Sequence, residues 1–401
     1  MTDTPLQGVR VLELGAFIAG PFAGQLLGDL GADVVKVEPP DTGDIMRRYG
    51  VRVTKTDGNV ESLWWSAIAR NKRSVAIDLR DARGQALVRR IAAQCDVVIE
   101  NFRPGTLVKF GLDDETLMAD NPRLVIVHVS GFGQTGPRAP EPGFGSIGEA
   151  MGGIRFTTGE PDRAPARTGI SIGDSLAALF AVVGTLAALH ERARSGKGQA
   201  VDVAIYEAVL ALMESTVADY EVGGVIRTRQ GGILRDVAPA NAYPTADGLD
   251  VVIAGNADAV FARLCVAMER PDLAHDLATH EARAARQDEL DAEIAAWTRT
   301  LTADTLIALL RKHDVPVGPI NRAPDLAVDP HIAARDMIVR LAAGFERDVP
   351  MAGVVPRLTR TPGTIRHVGP ALGEHTDEVL RELAQCDDGE IAALRDARVV
   401  F

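Results

Sequence analysis

Alternating strand and helix signals over the first third of the chain restrict its fold more than any other feature. "VRVLELG" (9–15) is a short apolar strand, "GPFAGQLLGDLGA" (20–32) a helix rich in small residues, and "DVVKVEPP" (33–40) a second strand. The order repeats with "SVAIDL" (74–79), the helical "ARGQALVRRIAAQC" (82–95) and "DVVIENF" (96–102). A helix within "LVKFGLDDETLMADNP" (107–122) then leads to the strand "RLVIVHVSGFG" (123–133). Strands this apolar, each followed by a helix, predict a parallel sheet covered on both faces.

Beyond residue 130 the pattern changes. Residues 131–173 are rich in Gly, Pro, Thr and Arg and read as one long ordered loop, the length at which loops are usually functional. An apolar helix follows over about 175–190, and "GQAVDVAIYEAVLALMES" (198–215) passes from strand to helix. A break near 223–248 opens a smaller α+β segment. The expected organisation is a large α/β domain over 1–222, a small α+β domain over 223–328, and a segment 329–401 returning to the large domain.

Charge and cysteine usage narrow the function classes. A net charge of −12 over 401 residues argues against nucleic acid as a partner. Cys95, Cys265 and Cys386 are too far apart for a disulfide framework or paired zinc spacing, which fits a reducing cytoplasm. The N-terminal "MTDTPLQGVR" lacks the basic-then-apolar pattern of a signal peptide. The helix at 175–190 is short for a bilayer span and reads as a core helix, so no membrane partner is expected.

Several motifs fail on required parts. The glycines of "LGAFIAGPFAGQLLGDLGA" do not form GxGxxG, so NAD is not expected. No histidine pair has a metal-ligand spacing, and neither a GxSxG elbow nor a phosphate-loop lysine is present. Arg70, Lys72 and Arg73 come just before a strand, whereas Arg103 and then Lys109 follow one, on the carboxyl side where ligands bind in parallel sheets. Composition alone favours solvated surface charge for them, and also for Arg47, Arg48 and Arg167. Asp174, in "GISIGDSLAALFAVVG" (169–184), is either a helix cap or a nucleophile held by that helix start.

The chain resembles the class III CoA-transferase (CaiB/BaiF) family, which includes formyl-CoA transferase and α-methylacyl-CoA racemase. The resemblance rests on "GVRVLELGAFIAGPFAGQLLGDLGADVVKVEPP", "ARNKRSVAIDLRDARG", "DVVIENFRPGTLVKFGL", "NPRLVIVHVSGFGQTGP", "GDSLAALFAVVGTLAALHERARSGKGQAVDVAIYEAV", "YPTADG" and "LGEHTDEVL", in that order. It implies a Rossmann-like large domain, a smaller inserted domain and an interlocked homodimer. By resemblance the CoA site falls on Ile77, Asp78, Leu79, Arg80, Asn101, Phe102, Arg103 and Lys109, and the catalytic aspartate on Asp174. The implied substrates are an acyl-CoA donor and a carboxylic acid acceptor, with coenzyme A passing through aspartyl-anhydride and aspartyl-CoA thioester intermediates. Neither a metal nor NAD is implied.

Departures from relatives sharpen that expectation. The racemases carry a histidine and an acid where this chain has Phe144 and Gly145, so two-base proton exchange lacks a partner. Nearby Glu149 reads as an ordinary helix residue. Formyl-CoA transferase's glutamine position is Ile18, its glycine-rich loop is missing, and an arginine common after the second strand is Pro39. A dicarboxylate receiving CoA from succinyl-CoA fits better than oxalate. The alternatives are a 2-methylacyl-CoA racemase and a non-catalytic CoA-ester-binding protein.

Overall fold

The computed structural model describes residues 4–401, which divide into two compact units. One comprises 4–154, 168–215 and 331–401; the other comprises 155–167 and 216–330.

The first unit is built on β1 (Arg10–Glu13), β2 (Asp33–Glu38), β3 (Lys72–Ala76), β4 (Val97–Glu100), β5 (Val125–Ser130) and β6 (Ala200–Ala204). These form a six-stranded sheet in the order β3-β2-β1-β4-β5-β6. Every neighbouring pair is parallel. Strand order reverses between β1 and β4, the switch point at which doubly wound sheets open a ligand crevice.

Side-chain alternation explains why both faces are buried. Leu12, Val35, Val75, Val98 and Ile126 point to one face and pack with Leu87, Val88 and Ile91 of α2 (Ala82–Ala93, with α1 at Ala19–Asp29 preceding it). Val11, Val34, Val97, Val125 and Val127 point to the other, against Ala19, Ala23 and Leu27 of α1. A period of two in apolar strands therefore builds two cores from one sheet.

Two features depart from the sequence expectation. Within 131–173, expected to be loop, lie α3 (Gly145–Met151) and the short helix Ile154–Thr157. Gly145, Gly148, Gly152 and Gly153, within and just after α3, hide its helical period, because close packing rather than an apolar stripe holds it in place. The helix expected at 175–190 is α4, Ile172–Ser195, with 24 residues, and ends on left-handed Gly196. By length and composition it could cross a membrane. Its alanine face (Ala177, Ala178, Ala181) is buried against the sheet, whereas Leu179, Phe180 and Val183 are exposed. Helix α5 (Ile205–Leu210) follows β6 directly.

The second unit carries a three-stranded antiparallel sheet of Ala240–Pro244, Asp250–Ala254 and Val317–Pro319. Its core gathers Phe261, Leu264, Leu290, Ile294, Leu306 and Leu310. All three cysteines are free and buried.

Candidate active site

The turn after β1 lies at the switch point and is held from below by buried charge. Glu13, on the last position of β1, pairs with Lys36 at 2.9 Å and Lys72 at 2.8 Å. Lys36 also pairs with Asp44 at 2.8 Å and donates to the Gly15 carbonyl at 2.8 Å. Lys72 donates to the Pro21 carbonyl at 2.7 Å. Burial alone would raise the Glu13 carboxyl, but the two ammoniums outweigh it and hold it below its usual range. Burial pushes Lys72 down instead. Space for this cluster requires a glycine: a Cβ at Gly24 would lie 1.9 Å from Glu13 Oε2.

This corrects the surface reading for part of the basic set, whereas Arg48, Arg103, Lys109 and Arg167 are exposed. Arg70, Lys72 and Arg47 are not solvated; Arg70 binds Asp29 through Nη2 at 2.6 Å, and Arg47 binds Glu38 through Nη2 at 2.7 Å. Arg73 pairs with Asp33 and Glu382. Glu38 is nine positions from Arg47, but Asp29 lies 41 positions from Arg70 and Asp33 lies 40 from Arg73, so nothing local signals those pairings.

Above the charged floor, Asn101 grips the same turn. Its Oδ1 accepts the Ala16 N–H at 2.8 Å and its Nδ2 donates to the Ala16 carbonyl at 2.8 Å. Asp44 Oδ1 accepts the Met46 N–H at 2.9 Å and the Phe17 N–H at 3.4 Å. Phe17 has φ 66°, a left-handed conformation that costs a bulky residue about 1–3 kcal/mol and so needs such anchoring. Sequence reasoning missed Phe17; its one signal is a lone aromatic among the small residues of "LGAFIAG".

A cleft of about 500 Å³ opens beside this turn. It brings together Ile77, Asp78, Leu79, Arg80 and Phe102, with Phe17 on its wall. Phe110 meets Phe102 edge-on at 6.2 Å, giving the cleft an aromatic floor suited to a flat ring. The 77–80 turn is pinned by the chain's C-terminus: Asp78 N–H donates to Val399 at 2.8 Å, and Ile77 bridges Val400. Arg80 is exposed at the rim and bonds Asp78 at 2.8 Å; those bonds hold the Asp78 carboxyl below its usual range. Exposed Arg48 also lines the cleft and forms no ion pair among the described residues. These rim guanidiniums suit phosphate groups.

The other expected CoA contacts lie elsewhere. Asn101 backs the turn rather than lining the cleft. Arg103 lines a neighbouring cleft of about 310 Å³ with Glu100, Asp114 and His128. Lys109 is exposed at the end of the helix Thr106–Lys109. In the neighbouring cleft His128 bridges Glu100 at 2.6 Å and Asp114 at 3.0 Å. Burial opposes its charge, but the two carboxylates prevail and raise its pKa to about 10.

From the cleft an aromatic path leads towards Asp174. The Phe17 ring meets Phe144 edge-on at 5.9 Å, and Phe144 is the residue before α3. Gly145 begins α3, and a Cβ there would lie 2.1 Å from Asp174 Oδ2. Asp174 is half-buried in the first turn of α4, where the helix dipole favours negative charge. It is the third residue of that helix; Ser171 holds the N-cap position, which corrects the cap reading. Glu149 is fully buried within α3. Among the described residues no cluster of three His, Cys, Asp or Glu side chains could hold a metal ion.

A doubly wound α/β sheet with a switch-point cleft, linked by aromatics to a helix-start carboxylate, defines a Rossmann-like protein shaped for a small-molecule ligand. Comparison with known proteins gives the class its particular identity. A family model described as CoA-transferase family III matches residues 6–376. The chain is 54% identical over 398 residues to the succinyl-CoA–D-citramalate CoA-transferase of Chloroflexus aurantiacus, spanning 99% of this chain and 98% of that one. It is 38% identical to the succinate–glutarate CoA-transferase of Agrobacterium fabrum, over 96% of this chain and 98% of the relative. A crystal structure of a CaiB/BaiF family protein from Brucella suis superposes with a TM-score of 0.85 at 38% identity, covering 95% of this chain and 100% of that one. The chain belongs to CoA-transferase family III, enzymes whose substrates are CoA thioesters.

Proposed function

We propose that this enzyme moves CoA from succinyl-CoA to a dicarboxylic acid, with Asp174 as the nucleophile. The observation that carries the reading is the carboxylate of Asp174, seated in the first turn of α4 and reached from the cleft through Phe17 and Phe144. The substrates named for the relatives, succinyl-CoA with D-citramalate and succinate with glutarate, support this donor and acceptor class.

The steps balance without redox change. An Asp174 oxygen bonds to the thioester carbon, the C–S bond breaks, and CoA leaves as thiolate beside an aspartyl–succinyl anhydride. The thiolate then attacks the Asp174 carbonyl carbon, releasing succinate and leaving an aspartyl-CoA thioester. The acceptor carboxylate attacks that carbonyl, expels thiolate and forms a new anhydride. Thiolate attack on the acceptor carbonyl yields the new acyl-CoA and frees Asp174. A carboxylate is a weak nucleophile in water and gains from being held against its target.

In this reading the adenine lies on Phe102 and Phe110, with phosphates met by Arg80 and Arg48, and Arg103 and Lys109 contribute from further along the ligand. Two copies assemble as an interlocked homodimer; the exposed Leu179, Phe180 and Val183 on α4 support a covered face. Phe144 and Gly145 supply no proton carrier, which disfavours racemisation. The test is incubation with succinyl-CoA and a panel of dicarboxylates, following new CoA esters by mass spectrometry. Turnover that survives Asp174→Ala would contradict the reading. So would deuterium uptake at the α-carbon of a 2-methylacyl-CoA in the absence of acceptor.

A further inference from the structure

Helix α3 approaches its neighbours through glycines, yet those glycines face different things. A Cβ at Gly148 would meet Ile205 Cγ2 at 2.5 Å, and one at Gly152 would meet Val209 Cβ at 2.6 Å. Those are packing contacts. At Gly145 the three nearest atoms all belong to Asp174: Oδ2 at 2.1 Å, Cγ at 2.8 Å and Oδ1 at 3.2 Å. The approach is mutual, since a Cβ at Gly173 would meet the Gly145 carbonyl oxygen at 2.9 Å.

Neither backbone strain nor helix propensity accounts for glycine at 145. Its φ lies outside the left-handed region, and as the first residue of α3 it occupies a position where alanine is the better helix former. What the glycine supplies is room for one carboxylate. Any Cβ would push the Asp174 side chain out of its seat, because real Cβ atoms do not approach heavy atoms this closely.

We infer that Gly145 is a positioning residue that fixes the Asp174 carboxylate for attack on the thioester carbon. The inference rests on the nucleophile reading of Asp174 and adds the group that sets its geometry. It also gives Gly145 a steric role in choosing between chemistries. A proton-carrying side chain at 145 would displace the carboxylate from the seat described, so covalent transfer and a second base at this position exclude each other here.

The experiment compares the wild-type chain with Gly145→Ala, Gly148→Ala and Asp174→Ala, using succinyl-CoA as donor and glutarate and D-citramalate as acceptors. Gly145→Ala is expected to lower kcat about 100-fold, the scale of an ångström-level misplacement. KM for succinyl-CoA should stay within about threefold, because the cleft is untouched. Its hydroxylamine-sensitive adduct should form more slowly by the same factor as kcat, with no loss of Tm. Gly148→Ala, the packing control, should lose Tm instead. A Gly145→Ala enzyme with wild-type kcat, or one whose activity loss merely tracks a fall in Tm, overturns the inference. If Gly145→Ala does not fold, the Asp174→Ala/Gly145→Ala pair decides. Recovery of folding once the carboxylate is removed supports the seat, whereas failure in both backgrounds overturns it. A wild-type enzyme that transfers CoA with no Asp174 adduct overturns the nucleophile reading and the inference together, whereas an adduct-forming wild type with an unaffected Gly145→Ala overturns the inference alone.

Discussion

The two ends of the aromatic path are built on opposite principles. Under the β1 turn, four buried charged groups (Glu13, Lys36, Lys72 and Asp44) fix the backbone by filling space with ion pairs. Beside Asp174 the position is set by omission, with glycines at 145 and 173 leaving room for a carboxylate and a close backbone approach. The first arrangement tolerates no loss of a partner, since a single buried charge left alone is costly. The second tolerates no gain of an atom. Rigidity at one end and clearance at the other both serve one geometric end, holding a ligand wall and a reactive group in fixed positions.

Breaking each end separates the two principles. The largest effect falls on the glycine-lined end: Asp174→Ala should lower kcat by about 10⁴-fold or more while folding and CoA binding persist, as measured by steady-state assay, thermal melting and calorimetry. At the charged end, Lys72→Met should cost about 3–5 kcal/mol of stability in denaturant titration, because Glu13 loses one of its two cations. Retention of wild-type stability there would mean that Lys36 alone suffices.

His128 sharpens the same contrast from the neighbouring cleft. Its folded-state pKa, near 10, lies above the ordinary value of 6.5, so its contribution is fully present below pH 6.5 and disappears as pH rises towards 10. Wild-type stability should therefore fall by a few kcal/mol across that window, and His128→Gln should flatten the slope. An unchanged slope in the variant would assign the pH dependence to other groups. The smallest effect belongs to the rim. Arg48→Ala and Arg80→Ala should each raise KM for succinyl-CoA about tenfold with kcat unaltered, the loss of one charge-assisted contact.

The sheet was the most legible part of the molecule. Leu12 beside Val11 and Val98 beside Val97 encode two buried faces by alternation alone, and both cores form as that pattern requires. The charged floor was not legible, because Lys36 finds Glu13 across 23 residues and composition assigns such side chains to the surface. Helix α3 was hidden for a related reason: Gly148 and Gly152 make it pack, and glycines argue against helix in any local reading. Among the expected CoA contacts, Ile77–Arg80 and Phe102 line the cleft together, because the sequence places them just beyond strand ends. Asn101 has the same placement, yet its amide holds Ala16. The importance of Asp174 came from family resemblance, since a first-turn aspartate by itself reads as helix stabilisation.

Intact-mass spectrometry after exposure to succinyl-CoA reads the covalent step at Asp174 itself. With Asp174 as the nucleophile, the expected result is a hydroxylamine-sensitive adduct that maps to Asp174 and is absent from Asp174→Ala. An adduct on another residue, or full CoA transfer by the alanine variant, would contradict it.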